Sequence, residues 1–179
     1  MAERPSKDQY YLRIAQAVSS RGTCIRRLVG AIIVKNDRII STGYVGSPRG
    51  ELNCIDGKSC QRKEMNVPSG SFYELCKSVH SEENAIVSAA SSGANINGAT
   101  LYLYSAPRSK DAYAPRQEMT AVYLPCYRCK KMIINSGLKD IVTLVGNKIV
   151  RFSMPEIRKM LKKDEREQKN NFFKFTSRK

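Results

Sequence analysis

The sequence predicts an α/β domain in which helices cover both faces of a mixed β-sheet. Segments with a helical period of 3.6 alternate with short apolar runs rich in β-branched residues, in the order α-β-β-α-β-α-β-α. The chain has 179 residues, 41% of them hydrophobic, which is enough to bury a core and too much for a disordered chain. We therefore expect one folded domain over residues 1–179.

A helix and a β-hairpin open the predicted domain. The helix covers residues 6–20, with Ser6 or Asp8 as its N-cap. Its expected buried face consists of Tyr10, Ile14, Ala17 and Val18. Two short apolar segments, 29–34 and 38–44, lie on either side of an Asn-Asp turn, which is typical of a hairpin.

The next segment, residues 45–78, loses all periodicity. It contains four glycines and two prolines, and we interpret 51–78 as a Cys- and Gly-rich loop insertion. A structureless loop of this length inside a compact domain needs something to order it.

Strands and helices alternate in the remainder of the chain. Helices are predicted over 80–92, where Gly93 ends the helix, and over 126–136, where Pro125 begins it. The predicted strands are 99–104, 119–124, 141–145 and 148–152. A polar excursion occupies 105–118, and a basic helix with an aperiodic tail occupies 156–179.

Composition excludes several classes of protein. No apolar run approaches the roughly 20 residues of a membrane span, and the first residues are polar, unlike a secretory signal. Six cysteines in such a chain are better explained as metal ligands or reduced core residues than as disulfides. We therefore expect a cytoplasmic protein, or one of the host cytoplasm if its origin is viral. A formal net charge of +15 favours an anionic partner: a nucleotide, a nucleic acid or an acidic surface.

One constellation carries recognisable chemistry: His80 and Glu82, followed by Cys126 and Cys129 after Pro125. Catalytic zinc takes three protein ligands and keeps a fourth position for water, whose pKa falls to about 7. Two cysteines three residues apart at a helix start can reach one ion, and the positive helix end lowers their pKa values. His80 can supply the third ligand. Glu82 can then move a proton from the water to the substrate.

Each part of this constellation has a plainer explanation when taken alone. A C-x-x-C pair can be a redox pair or half of a structural zinc site, and a lone His is usually a satisfied polar residue. Here the single His of the chain lies two residues before a Glu, and Pro-Cys-x-x-Cys follows. That coincidence favours a catalytic zinc site.

The pair H-x-E and P-C-x-x-C is the signature of zinc-dependent nucleobase deaminases. Beyond it, the chain resembles the deoxycytidylate (dCMP) deaminases, in the branch found in microbes and their viruses. The matching segments are 19–50, 73–86, 98–102 and 125–137.

This resemblance implies the three-layer cytidine-deaminase fold and hydrolysis of dCMP to dUMP and ammonia, which supplies dUMP for thymidylate synthesis. It also implies a homo-oligomer, usually a hexamer, activated by dCTP and inhibited by dTTP. We expect Mg²⁺ to accompany the effector nucleotide.

The chain departs from the family pattern in three places. Ser81 replaces the usual Ala between the His and the Glu, a small change. Val45 replaces an Asn that contacts the sugar in related deaminases, so this contact to the sugar is not expected here. The segment before Pro125 is longer than in compact members, and we expect this difference to alter the pocket rim or an oligomer contact.

The remaining cysteines suggest a second zinc. They number four, as a closed structural site requires: Cys24, Cys54, Cys60 and Cys76. Several dCMP deaminases that resemble this chain carry a second zinc on residues matched by Cys24 and Cys54. The alternative is four reduced cysteines, some of them buried as small hydrophobes. Cys76 is ambiguous, because it lies four residues before His80 and a longer helix would place it beside the catalytic ion.

Nucleotide binding requires charge-assisted donors. By resemblance and charge, Thr23 and Arg26 are candidates for the substrate phosphate, although a solvated surface Arg is nearly as good an explanation. Asn53 and Tyr127 are candidates for the base pocket. The candidate effector loop consists of Gly46, Ser47 and Arg49, which as sequence alone is a turn.

Two other functions fit parts of the sequence. An editing deaminase acting on tRNA or single-stranded nucleic acid shares the motif and suits the charge, and the basic C-terminal segment carries interleaved Phe residues. Acidic residues interrupt that segment, which favours a solvated helix instead. A non-catalytic zinc-binding module would have no use for Glu82.

Overall fold

The structure is a computed structural model and describes residues 4–108 and 123–176. Its helices are α1 (Lys7–Ser19), α2 (Gln61–Glu64), α3 (Ser81–Ser91), α4 (Tyr127–Asn135) and α5 (Met154–Thr176). Its strands are β1 (Arg27–Lys35), β2 (Arg38–Tyr44), β3 (Thr100–Pro107), β4 (Asp140–Val145) and β5 (Lys148–Ser153). A short 3₁₀ turn covers Tyr73–Leu75.

The strands form one mixed sheet in the order β2-β1-β3-β4-β5. Three of the four neighbouring pairs are antiparallel, and β3 and β4 are parallel. Helix α4 lies between β3 and β4 in the chain, as a crossover between parallel strands requires. This sheet confirms the predicted α/β class.

Side chains of the strands alternate between two buried layers, as a pleated sheet dictates. On one face, Ile32 and Tyr102 pack with Leu12 of α1. On the other face, Ile33 and Leu101 pack in a cluster that includes residues of α3, α4 and α5. Helices therefore cover both faces, as expected. None of the helices in the described ranges is both long enough and apolar enough to span a membrane.

The buried face of α1 is not the predicted one. Ser6 is the N-cap as expected, but the buried residues are Tyr11, Leu12, Ala15 and Ser19, and Tyr10 is 51% exposed. Ile14 and Val18 pack at the edge of the cluster. The helix lies very close to β1, since a Cβ at Gly30 would fall 2.2 Å from the carbonyl oxygen of Ala15. Because the helix backbone comes this close to β1, the face of α1 that contains the small Ala15 is the one buried against the sheet.

Other differences concern the irregular segments. The 45–78 region contains α2 and the 3₁₀ turn, and α5 continues to Thr176 through residues we expected to be aperiodic. Of the predicted strand 119–124, residues 119–122 lie outside the described part, and the last two are not in a strand. The predicted excursion begins later, because β3 extends to Pro107. The rest of that excursion, from 109, is also outside the described ranges.

The approach of α3 to β2 depends on Gly43. A Cβ at Gly43 would lie 2.3 Å from both the amide nitrogen of Ala85 and the carbonyl oxygen of Ser81. Two hydrogen bonds fasten the same contact: Ser41 Oγ donates to the Ala85 carbonyl at 2.8 Å, and Asn84 Nδ2 donates to the Tyr44 carbonyl at 2.7 Å. Gly43 thus sets the position of the helix that follows His80.

We expect Gly43→Ala to lower the free energy of unfolding by about 1–3 kcal/mol, because an inserted methyl group must push two backbones apart. Gly57→Ala is the matched control, since the atoms nearest to an added Cβ there, in Asn53 and Leu52, would be 3.5 Å away. Urea unfolding of both variants measures the difference. Equal stability of the two variants would contradict the close contact.

Candidate active site

Three metal-ligating side chains meet where α3 and α4 begin. His80 and Cys126 are the N-cap residues of α3 and α4, and Cys129 is the third residue of α4. The Sγ atoms of Cys126 and Cys129 each lie 3.4 Å from His80 Nδ1. Within residues 4–108 and 123–176, this is the one group of three or more possible ligands whose atoms all lie within 4.8 Å of one another.

The geometry of this group fits zinc. A tetrahedral ion with usual Zn–N and Zn–S bond lengths would hold nitrogen and sulfur about 3.6 Å apart. The observed separations of 3.4 Å are close to that value. One nitrogen and two sulfurs also match the donor set of a catalytic zinc that keeps its fourth position open. The residues present therefore suit the ion that the sequence predicts.

The environment of Cys126 favours the ligating form of its thiol. Hydrogen bonding with Cys129 and then with His80 outweighs the effect of burial and lowers the pKa of Cys126 to about 4. A thiolate at a helix N-terminus is also stabilised by the unpaired backbone N–H groups there. Cys126 is therefore prepared to bind a cation.

Glu82 lies in the first turn of α3 and is completely buried. Its Oε2 accepts a hydrogen bond from Ser81 Oγ at 2.9 Å, and its Oε1 has no hydrogen-bond partner among the described residues. Burial raises the pKa of Glu82 above the ordinary glutamate value. A carboxyl group with one free oxygen and a raised pKa is suited to hold and release a proton.

Helices α3 and α4 are held together by a residue pair that the sequence analysis did not single out. Glu83 Oε2 accepts a hydrogen bond from the backbone N–H of His80 at 3.1 Å and forms an ion pair with Arg128. An acidic residue three positions after an N-cap is a helix-start signal, which could have identified Glu83. This pair fixes the ligand His relative to the helix with both cysteines.

A cavity of about 350 Å³ opens beside this group, with His80 and Ser81 in its lining. Arg26 and Val45 line it, together with Arg27 and Arg62, which the sequence analysis did not identify. Arginines on the wall of a cavity favour an anionic ligand. Val45, which the sequence analysis discussed as a departure from the family pattern, is thus part of the wall of this cavity.

Two tyrosines of the cavity wall were also missed: Tyr73 and Tyr123. The guanidinium of Arg62 lies 4.4 Å from the ring centroid of Tyr73, and that of Arg27 lies 5.2 Å from Tyr123. Arg27 also donates two hydrogen bonds to Ser105 Oγ, at 3.1 and 2.9 Å. No local pattern distinguishes these arginines from the other basic residues of the chain.

The other substrate candidates lie outside the described lining of this cavity. Thr23 Oγ1 is buried without a hydrogen-bond partner in the described ranges. Asn53 Nδ2 donates to Asp56 Oδ2 at 2.9 Å, within its own loop. The ring of Tyr127 lies 4.4 Å from Lys131 Nζ. Of the four candidates, the structure brings only Arg26 into the described wall beside His80.

The candidate effector loop begins next to the metal ligands. Gly46 pairs with Val79, its N–H and carbonyl making hydrogen bonds of 3.1 and 2.7 Å. Ser47 Oγ donates to the Leu52 carbonyl at 3.0 Å, and Arg49 is exposed. The first residue of the loop is therefore held by two backbone hydrogen bonds to Val79, the residue before His80.

The four remaining cysteines do not form a compact ligand group in the described structure. Cys24, Cys60 and Cys76 line the cavity with His80. Cys54 Sγ lies 3.5 Å from Ser78 Oγ. Helix α3 starts at Ser81, so Cys76 is not on it. Burial raises the pKa of Cys76, but hydrogen bonds with His80 and the Ser78 backbone, together with the nearby positive charges, lower it below the ordinary thiol value.

Comparison with known proteins identifies the family. The family model described as the cytidine and deoxycytidylate deaminase zinc-binding region matches residues 5–145, which include all three clustered ligands and Glu82. The chain belongs to the cytidine and deoxycytidylate deaminase family. This confirms the resemblance found in the sequence.

Relatives within this deaminase family include phage and yeast proteins. The deoxycytidylate deaminase of Mycobacterium phage D29 is 34% identical over 144 residues, covering 78% of this chain and 94% of the relative. That of Schizosaccharomyces pombe is 32% identical over 139 residues, covering 78% of this chain. The chain spans only 37% and 38% of the lengths of the fission and budding yeast relatives.

Solved structures of deaminases share the fold. The apo dCMP deaminase of cyanophage S-TIM5 aligns with a TM-score of 0.53 at 28% identity, over 79% of this chain and 84% of the other. The same phage enzyme in complex with dCMP and dUMP aligns with a TM-score of 0.53 at 26% identity, over 79% and 83%. The cytidine-deaminase fold that the sequence predicts is therefore confirmed.

Proposed function

We propose that this deaminase hydrolyses dCMP to dUMP and ammonia. The observation that carries the proposal is the buried Glu82 carboxyl, with Oε1 unpartnered in the described structure, in the helix that starts at the ligand His80. The arginine-lined cavity beside it suits a nucleotide phosphate. The similar phage enzyme, crystallised with dCMP and dUMP, supports the choice of substrate.

The residues of this chain divide the chemistry between them. His80, Cys126 and Cys129 would hold zinc, which makes water available as a nucleophile at neutral pH. Glu82 takes the proton of that water and passes it to N3 of the cytosine ring as C4 is attacked. Glu82 then moves the proton of the hydroxyl added at C4 to the exocyclic amine, and the C4–N bond breaks as the C4 carbonyl forms, so that dCMP and water become dUMP and ammonia. Ser81 orients the carboxyl by its hydrogen bond to Oε2.

In this proposal, Arg26 and Thr23 bind the phosphate of the substrate. Asn53 and Tyr127 bind its base. Arg26 has the strongest support because it lines the cavity. Val45 is apolar where relatives have a sugar-contacting Asn, so sugar selection must come from other groups. Turnover of dCMP compared with CMP would measure that selection directly.

The test is ammonia release by purified, zinc-loaded protein. We expect turnover of dCMP, and little or none of cytidine, because the arginines of the cavity have no phosphate to bind in a nucleoside. Single-stranded oligonucleotides and tRNA are assayed in parallel. Deamination of a nucleic acid without turnover of dCMP would overturn the proposal and assign the +15 charge to substrate binding.

The regulatory part of the proposal is a homohexamer, activated by dCTP and inhibited by dTTP, with Mg²⁺ on the effector nucleotide. Gly46, Ser47 and Arg49 are its effector residues, supported by the pairing of Gly46 with Val79, the residue before His80. In the cytoplasm such an enzyme would supply dUMP for thymidylate synthesis. Sedimentation, with dCTP and dTTP titrations of the rate, tests this part. A monomer that is indifferent to both nucleotides would contradict it.

The second zinc in the proposal has Cys24, Cys54, Cys60 and Cys76 as its ligands. Two observations support it: Cys24, Cys60 and Cys76 line the same cavity, and all of the four except Cys24 lie in the 51–78 insertion, which has little regular structure that could order it without a metal. We predict two zinc ions per chain by metal analysis, falling to one in Cys54→Ser. One ion per chain in both proteins would show that these cysteines are simply reduced.

A further inference from the structure

One wall of the catalytic cavity is formed by an irregular segment, residues 68–73, here called the wall segment. It ends at Tyr73, which lines the cavity and packs against the ligand His80 with 5.2 Å between ring centroids and an interplanar angle of 82°. Just before it, Phe72 adopts a left-handed backbone conformation with φ of 50°. An aromatic residue in that conformation is strained and needs surrounding contacts to hold it.

From the inner side, Arg62 of α2 holds the wall segment. Its side chain is buried, with the residue only 5% exposed. The guanidinium donates hydrogen bonds to the backbone carbonyls of Pro68, Ser71 and Phe72 and lies 4.4 Å from the Tyr73 ring centroid. A planar fork of donors can fix several carbonyls at once, which a lysine ammonium does not do in the same geometry. Arg62 therefore sets the path of the backbone that presents Tyr73.

From the outer side, the C-terminal helix α5 holds the same segment. Gln168 Nε2 donates to the Gly70 carbonyl at 2.9 Å, and the ring centroid of Phe172 lies 6.4 Å from that of Phe72. One turn earlier, Asp164 forms an ion pair of 2.6 Å with Lys130, the residue after the ligand Cys129. The Lys130 side chain is 6% exposed, so this pair is largely shielded from solvent. Helix α5 thus connects the cysteine-bearing helix to the wall segment.

We propose that Arg62, Gln168 and Phe172 are positioning residues for substrate binding. Together they clamp the wall segment so that Tyr73 stands against His80 and closes one side of the cavity. The distal part of α5 thereby shapes the active site without entering it. This inference rests on the proposed deamination of dCMP for its kinetic test, but the clamp itself is measurable without any substrate.

The kinetic test compares Phe172→Ala, Gln168→Ala and Arg62→Met with the exposed control Arg158→Met on the same helix. We expect the KM for dCMP to rise about tenfold in Phe172→Ala and Arg62→Met, with kcat within about threefold of wild type and zinc content unchanged, because a displaced wall weakens binding but leaves Glu82 in place. A role in folding alone would lower the amount of active enzyme and leave KM as it was. Unchanged KM in both variants would overturn the proposal.

The Arg62→Lys variant distinguishes two possible roles of Arg62: positioning of the wall segment, and electrostatic attraction of the substrate phosphate. If Arg62 acts through its charge, lysine restores KM; if it acts by holding three carbonyls, lysine behaves like methionine. We expect the second result. Arg62 and Phe172 act on the same segment, so their effects on kcat/KM should not add in the double variant. Full rescue by lysine would overturn the positioning role.

Amide hydrogen exchange tests the clamp independently of the reaction. In Phe172→Ala, we expect residues 68–76 to exchange at least about tenfold faster, while the first turns of α5 and the strands keep their wild-type rates. Arg158→Met should leave the segment unchanged. Wild-type exchange of 68–76 in Phe172→Ala would overturn the clamp even if dCMP is a substrate. Absence of dCMP turnover in the wild type would instead overturn the proposed function and leave the exchange result to decide the clamp.

Discussion

Replacing Glu82 with Gln should reduce kcat for dCMP by at least about 10²–10⁴-fold, the usual contribution of a positioned acid or base. The amide has nearly the same shape as the carboxyl and can still accept the hydrogen bond from Ser81 Oγ, but it cannot take up and release a proton. Glu82 is the carboxyl group in the described site with an unpartnered buried oxygen. Steady-state ammonia release measures the loss, with Glu165→Gln on the exposed side of α5 as the control.

The same variant should keep its zinc and be no less stable than wild type at pH 7. Burial raises the pKa of Glu82, so the folded protein binds this proton more tightly than the unfolded chain does. The stability that Glu82 contributes is then greatest at low pH and declines as the pH rises from the ordinary glutamate value through the raised one. The amide of Glu82→Gln carries no charge at any pH, so the variant does not lose stability from burying a carboxylate at pH 7. Retention of more than a tenth of wild-type kcat would contradict the proton-transfer role.

Replacing Cys129 with Ser should remove both the catalytic zinc and the activity. Cys129 is fully buried, packs in the core cluster beneath the sheet, and lies 3.4 Å from His80 Nδ1. A serine hydroxyl is a much poorer zinc ligand than a thiolate at neutral pH, so the site loses one of its three protein ligands. Metal analysis should show one zinc fewer per chain than in wild type, and ammonia release from dCMP should fall to the background rate.

The effect of a chelator on thermal stability, compared between wild type and Cys129→Ser, provides the control for this second experiment. Zinc that binds only the folded state stabilises it by about 4 kcal/mol when its free concentration is 1,000 times the Kd. We therefore expect a strong chelator to lower the melting temperature of wild type markedly and to change that of Cys129→Ser much less. Wild-type zinc content in Cys129→Ser would contradict the ligand assignment. An equal response of the two proteins to chelator would contradict the coupling of this site to stability.

The metal site was predictable because its signal is local in the chain. His80 and Glu82 are two residues apart, and Cys126 and Cys129 are three residues apart, so each pair is oriented by a single helix start. The donor types then point to zinc, and the acid beside the His supports the proposed proton transfer. What the spacing could not show is that the two helix starts meet, which results from the packing of α3 and α4 on the same face of the sheet.

The buried face of α1 illustrates the limit of periodicity. Two adjacent faces of this helix have a period of 3.6 and are largely apolar: the predicted face with Tyr10 and Ile14, and the buried face with Tyr11 and Leu12. The choice between them depends on the surface against which the helix packs: Gly30 of β1 has no side chain, so the backbone of α1 at Ala15 and Ser19 can come into contact with the strand there. Such a choice depends on a residue in another element and cannot be seen within the helix.

By itself, the sequence determined the mixed α/β class, most of the helices and strands, and the family, and it predicted the zinc ligands and the acid beside them. These follow from short-range spacing and side-chain chemistry. Only the tertiary structure decided that Arg62 and Tyr73 form the wall of the site and that Gln168 and Phe172 hold it from outside. The reason is physical: Gln168 and Gly70 are 98 positions apart in the chain, and their contact is created by the packing of α5 rather than by any local preference.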